Sequence, residues 1–282
     1  MSNGKKGFDL MNDVEIYYFS GTGNSLIVAK DLAEDLNAKL IPVIPFKEKQ
    51  SIHSEAEIIG IVFPIYDFQP PFLINEFIEK LKIPDSTYLF AVCTYGLMPL
   101  KTMKKFNTTC QMYQKTLSSA FTVKMPHNGV GYSKIPKEKQ EKMFNNWNKK
   151  RRFIIKKVKT KETGPIETNN SVYLFALTGI FLKMMPKLLG MMKEIAFHGW
   201  DSLGFVVNDQ CNGCGICEKI CPVNNIHMEK SIPIWSDKCI NCFACLQWCP
   251  KQAINAGKIT ENTERYHHPD INVNEIINQK QN

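Results

Sequence analysis

Eight of the ten cysteines fall into two copies of one spacing, C-x-x-C-x-x-C-x-x-x-C-P. The first is Cys211, Cys214, Cys217 and Cys221 with Pro222; the second is Cys239, Cys242, Cys245 and Cys249 with Pro250. The first three thiolates of a run can face three irons of a cubane, while the fourth lies too far round the turn and ligates the other cluster. The spacing therefore predicts two 4Fe-4S clusters, one held by Cys211, Cys214, Cys217 and Cys249, the other by Cys239, Cys242, Cys245 and Cys221. Zinc sites set pairs of C-x-x-C across a longer loop, without the third cysteine and the terminal C-P. A disulfide framework belongs to an oxidising compartment, and Lys5, Lys6 and Asp9 stand where an apolar secretory segment would lie. A cytoplasmic protein is the expectation. Cys93 and Cys110 fit no ligand spacing and read as small buried hydrophobes.

The two runs are halves of an internal repeat. Asn208-Asp209-Gln210-Cys211 answers Ser236-Asp237-Lys238-Cys239, and Cys-Pro-x-x-x-Ile ends at both Ile226 and Ile254. Residues 205–258 resemble the bacterial two-cluster ferredoxins, with all eight ligand positions and both prolines in place. The resemblance implies electron transfer at low potential.

A second chemistry-bearing segment lies near the start of the chain, at Ser20-Gly21-Thr22-Gly23-Asn24-Ser25. It follows an apolar, β-rich run at Val14 to Phe19 and precedes Leu26, Ala29, Leu32, Ala33 and Leu36 at helical spacing. A hydroxyl-rich turn with glycines between strand and helix offers backbone N–H groups, hydroxyls and a helix N-terminus to an anion. No lysine follows Gly23 as in a P-loop, and Leu26 stands where the dinucleotide fingerprint has its third glycine. The pattern S-x-T-G-x-S resembles the phosphate loop of flavodoxins. That resemblance implies FMN, with Ser20, Thr22, Gly23, Asn24 and Ser25 at its phosphate.

These residues need a sheet to hold them. Further strands are readable at Leu40 to Ile44, Ile58 to Phe63, Tyr88 to Cys93 and Phe121 to Met125, with helices near Pro71 to Leu81 and Leu100 to Tyr113. Strands alternating with helices predict an α/β fold, a flavodoxin-like doubly wound parallel sheet of five strands, joined to a small α+β ferredoxin domain. Ligands of such sheets lie beyond the carboxyl ends of the strands at the switch point. The loop Pro64-Ile65-Tyr66-Asp67 and the loop Thr94-Tyr95-Gly96 should then meet the flavin ring. Pro64 opens the first of these; Tyr66 and Tyr95 are candidates to stack on the ring, and Thr94 and Gly96 to offer main-chain groups. Asp67 reads as a turn former, and His127, in Pro126 to Gly129 at the rim, is given no role.

The 282 residues carry a formal charge of +8, with 44% hydrophobic and 22% charged residues, normal for a globular protein. Two oxidised clusters at about −2 each and a flavin phosphate near −2 would leave roughly +2. Lys134 to Lys161 is dense in lysine and arginine, with Phe144, Trp147, Ile154, Ile155 and Val158 at helical intervals. This reads as an amphipathic helix completing the first domain, not as a nucleic-acid surface, and its charge suits acidic redox partner proteins. The methionine-rich stretch from Val172 to Ile195 is interrupted by Lys183 and Pro186, so no transmembrane segment is expected; helices between the domains would account for it. The expected division is 13–162 for the flavin domain, 163–204 for a helical linker, 205–258 for the ferredoxin domain and 259–282 for a polar tail.

The whole chain resembles the flavodoxin and ferredoxin fusion proteins of anaerobic bacteria, the EFR-type ferredoxins. The resemblance implies a converter in which one-electron clusters feed a flavin that takes one or two electrons. The alternative is a flavin-dependent reductase of a small organic substrate fed by its own ferredoxin domain, with Tyr66, Asp67 or His127 as proton donor. A redox sensor is a third option.

Overall fold

The computed structural model describes residues 13–129, 135–168, 204–257, 260–261 and 263–281. The methionine-rich stretch and the expected helices there lie outside the described residues.

Continuous apolar runs make the central strands of a parallel sheet, because helices cover both faces. β4 (Ile58–Pro64) and β6 (Tyr88–Tyr95) are buried along nearly their whole length. They are flanked by β1 (Val14–Tyr18), β2 (Lys39–Pro42) and β7 (Leu117–Lys124), all parallel, in the order β2-β1-β4-β6-β7. Counted within this sheet the order is 2-1-3-4-5, the flavodoxin-like winding. β7 begins four residues before the expected Phe121, since Leu117, Ser119 and Ala120 also turn inward. Two short strands that periodicity did not reveal, β3 (Ile52–His53) and β5 (Leu81–Lys82), pair with each other beside the sheet.

α1 (Asn24–Leu36) buries Leu26, Val28, Ala29, Leu32 and Leu36, and ends at Asn37 in the left-handed conformation, a common helix stop. α2 (Phe72–Lys80) and α3 (Thr102–Met112) fill crossovers. α4 (Lys137–Lys159) lies against α1 and β7, burying Trp147, Ile154, Ile155 and Val158. Its basic face is partly used. Arg151 pairs with Asp35 through two 2.6 Å hydrogen bonds and with Asp31 at 3.2 Å, while the Trp147 indole donates to Asp31 at 2.6 Å. Burial raises the Asp31 pKa, and the indole and guanidinium oppose the rise. Because these side chains are about a fifth to a third exposed, Arg151→Ala should cost about 2 kcal/mol, less than a buried pair. Chemical denaturation checks this, and an unchanged midpoint would show the pair to be decorative.

The second domain carries the repeat into three dimensions. β8 (Phe205–Val207) pairs with β11 (Ile254–Ala256), and β9 (Ile226–Glu229) forms a hairpin with β10 (Ile232–Trp235). Two short helices, α5 (Ile216–Ile220) and α6 (Ala244–Gln247), pack together. Left-handed residues recur at matching positions: Gly213 with Asn241, Gly215 with Phe243, Asn224 with Gln252. The first two pairs curl the backbone between cysteines and the third follows the last cysteine of each run, turning N–H groups toward the sulfurs. After this domain the chain is not a loose polar tail. It forms α7 (Val273–Ile277), started by a capping box between Asn272 and Glu275.

Candidate functional site

The cysteines gather in two cavities. Cys211, Cys214, Cys217 and Cys249 line one of about 320 Å³, and Cys221, Cys239, Cys242 and Cys245 line another of about 310 Å³. Each cavity takes three cysteines from one run and the fourth from the other. Among the described residues no three cysteine, histidine or carboxylate groups converge on a single-ion site, so the sulfurs surround a volume, as a cubane needs, and not a point.

Backbone N–H groups are aimed at these sulfurs. Asn225 donates to Cys221 Sγ at 3.2 Å and its repeat counterpart Ala253 to Cys249 Sγ at 3.3 Å; Asn241 donates to Cys239 Sγ at 3.4 Å. Burial pushes the Cys217 thiol up to about 11 and Cys242 up to about 12, with neighbouring cysteines adding to the rise. Cys245 is raised further by the same burial. Thiolates so placed need positive charge among them, which iron supplies. The donor set, the crossed fourth ligands and the amide hydrogen bonds fit two iron–sulfur clusters. Burial puts Cys93 and Cys110 up, Cys110 to about 12 and Cys93 with the charge of Glu167 adding to the rise, and neither lines a cysteine cavity.

A third cavity, also about 320 Å³, lies beyond the carboxyl ends of β1, β4, β6 and β7. Ser20, Thr22, Asn24, Ser25, Pro64, Thr94, Tyr95 and Gly96 line it, with Gly21, Ile65, Pro126, His127 and Asn128. Gly23 and Tyr66 are not among the lining residues. Gly23 sits at φ 96 and turns the chain into α1. Its N–H donates to Ser20 Oγ at 3.1 Å, and Asn128 Nδ2 donates to Thr22 Oγ1 at 2.8 Å. Ser25 and Thr94 share a hydroxyl contact of 2.8 Å, tying the turn to the end of β6. The first turn of α1 holds no acidic residue and the cavity lining no lysine or arginine. An anion here would be met by N–H groups, hydroxyls and the helix end. Gly96 is there for closeness: a Cβ at that position would fall 2.4 Å from His127 Cβ. Burial lowers the His127 pKa, and Asp67, in a left-handed turn with Phe68, has its pKa raised by burial. Hydroxyls, amides and the Tyr95 ring in one lining fit a phosphorylated flavin.

Sequence reasoning brings Arg265 to Pro269 back onto the flavin domain but names no partner for the residues that join the two domains. Gln279 pairs its amide with the main chain of Ser20 in both directions, at 2.9 Å each. His268 N donates to Thr22 O at 2.8 Å, and the Tyr66-side neighbour Gly21 accepts at its carbonyl from the Trp248 indole at 3.0 Å. The Tyr266 hydroxyl donates to Asn24 Oδ1 at 2.8 Å, Gln247 Nε2 donates to Asn128 O at 2.7 Å, and Lys30 pairs with Glu275 at 2.7 Å. His267 stacks on Trp248 with ring centres 4.0 Å apart. The phosphate-loop candidate is thus held from behind by the second domain and the tail. The other readable signal was Asn-x-x-Glu at Asn272 and Glu275, a helix start.

Residues 210–253 match the family of 4Fe-4S dicluster domains. An uncharacterized protein of Methanocaldococcus jannaschii is 37% identical over 57 residues, 20% of this chain and 22% of that protein, so the likeness spans about a fifth of the relative. Among solved structures, a flavoprotein of Bacteroides uniformis is 18% identical, with a TM-score of 0.35 over 49% of this chain and 98% of that one. An archaeal flavodoxin is 14% identical, with a TM-score of 0.36 over 52% of this chain and 99% of its own. The strand order carries the fold assignment.

Proposed function

From a chain that fuses a flavodoxin-like domain to a 4Fe-4S dicluster domain, we propose an electron-transfer iron–sulfur flavoprotein that moves electrons between two 4Fe-4S clusters and one FMN. Bound FMN takes up one or two electrons and each cluster passes one, so the pair converts between the two currencies. Cys211, Cys214, Cys217 and Cys249 hold one cluster; Cys239, Cys242, Cys245 and Cys221 hold the other. Ser20, Thr22, Gly23, Asn24 and Ser25 hold the FMN phosphate, and Pro64, Thr94, Tyr95 and Gly96 flank its ring. The observation that carries this reading is the contact between the sites. A Cβ built on Gly21 of the phosphate turn would lie 3.1 Å from the Cys242 carbonyl oxygen and 3.6 Å from Cys242 Cβ. Cofactor sites that share a wall are placed to exchange electrons.

The basic face of α4 would draw acidic one-electron carrier proteins to the molecule. No helix among the described residues is long and apolar enough to cross a membrane. Protein purified without air should contain about eight irons and one FMN per chain, with flavin bands over a broad iron–sulfur absorption. Zinc in the cysteine cavities, or a chain that binds clusters but no flavin, would end this reading. His127 on the cavity wall favours a second reading, reduction of a small organic substrate at the flavin. Selective turnover of a quinone, enone or nitro-compound by the reduced protein would establish it, and slow unselective reduction would remove it.

A further inference from the structure

Among the described residues the side-chain donors of Tyr66, Thr102, Trp235 and Arg265 are buried without an acceptor; Trp235 lines the cavity of Cys242 and Cys245, and Tyr66 stands close to Cys242. The indole N–H of Trp235 is sealed from water with no hydrogen-bond partner. Its ring is stacked at 5.2 Å on Phe205, and it lines the cavity with Cys245. The Tyr66 hydroxyl is likewise buried without a partner, although its ring is half-buried. It belongs to the first domain and lies 2.7 Å from where a Gly21 Cβ would stand, the point that also touches Cys242. A buried unpaired donor costs on the order of 1–3 kcal/mol, so an acceptor is expected at each.

Resting on the reading above, we infer that the site of Cys242 and Cys245 is the station next to the flavin. Tyr66 and Trp235 are its positioning residues, donating hydrogen bonds to the sulfurs bound there and raising that site's potential. An electron given by a low-potential one-electron carrier to the site lined by Cys211, Cys214, Cys217 and Cys249 passes to the Cys242 site and from there across Gly21. The repeat makes the asymmetry visible. Val207 occupies the position that answers Trp235, and it offers no donor. The tail does not create the asymmetry, because it places one cation near each crossed ligand, Arg265 by Cys249 and Lys280 by Cys221. A rival path runs through Trp248, which touches Gly21 and precedes Cys249 in the chain.

The test is an EPR-monitored redox titration of the loaded full-length protein, with each cluster's signal assigned by the one that survives in Cys211→Ser. Tyr66→Phe and Trp235→Phe should each make reduction of the Cys242-site cluster about tenfold less favourable, ~59 mV for a one-electron couple, and leave the other unmoved. Gly21→Ala, a change in the phosphate turn, should alter the same cluster's signal. A potential unmoved in either Phe variant overturns the inference, as does a response confined to the Cys249-site cluster, which would favour the Trp248 path. Iron and flavin counts on each sample separate these outcomes from failure of the broader reading. The two Phe variants keep an aromatic ring in place, so the shift is read in folded, fully loaded protein.

Discussion

Serine at position 249 should remove the cluster of the first cysteine run and spare that of its own run. Cys249 stands four residues after Cys245, yet it lines the cavity of Cys211, Cys214 and Cys217. Cys249→Ser is expected to retain about half the iron. Adding Cys211→Ser should cost little more iron, because both residues serve one cavity. Adding Cys239→Ser should empty the domain. Non-additivity within a site and additivity between sites is the signature sought. If the ligands did not cross, the two double variants would exchange their outcomes. Iron analysis with EPR decides the matter, and a drop to near zero in the single variant would mean that neither half holds its cluster alone.

Acid should weaken the grip of the tail on the phosphate turn through His268. Burial first, and His267 to a lesser degree, lower its pKa to about 4, against the pull of Asp270. Its ring packs on Phe144 with centres 4.8 Å apart, its Nδ1 accepts from the Asp270 N–H at 3.2 Å, and the Asp270 carboxylate lies 4.0 Å away. The unfolded chain takes up a proton below about pH 6.5 while the folded one refuses it until about pH 4. Stability from this group is therefore complete above pH 6.5 and is lost as pH falls, amounting to about 2 kcal/mol by pH 5. His268→Gln should flatten that dependence. Thermal midpoints of both loaded proteins at pH 7 and pH 5 test this, and acid lability of the clusters cancels in the difference. Equal slopes in the two proteins would remove His268 from the account.

Much of this was legible because its cause is local. Three cysteine-to-cysteine intervals and one proline in each run define the two metal cavities, and a strand, a hydroxyl-rich turn and a helix define the anion site. The central strands were readable since burial on both faces makes them continuously apolar, whereas β3 and β5, two residues each, are too short to show a period. Tyr66 was expected against the flavin ring because it follows β4; the structure places its hydroxyl toward Gly21 and Cys242, and that depends on where the second domain docks. Gln279 was illegible for the same reason, and so was the partner of Tyr266. A lone glutamine or tyrosine in a polar segment gives no sign of a partner some 240 to 260 residues away.

That separation also sets an order of assembly. Gln279 completes the hydrogen bonding of Ser20 across 259 residues, so a nascent chain emerging from the ribosome can wind its first sheet long before the anion turn is finished. At ordinary rates of translation the wait is roughly 13–50 s. During that interval the turn is open from behind, and both cysteine runs are made after the nest and before the residue that seals it.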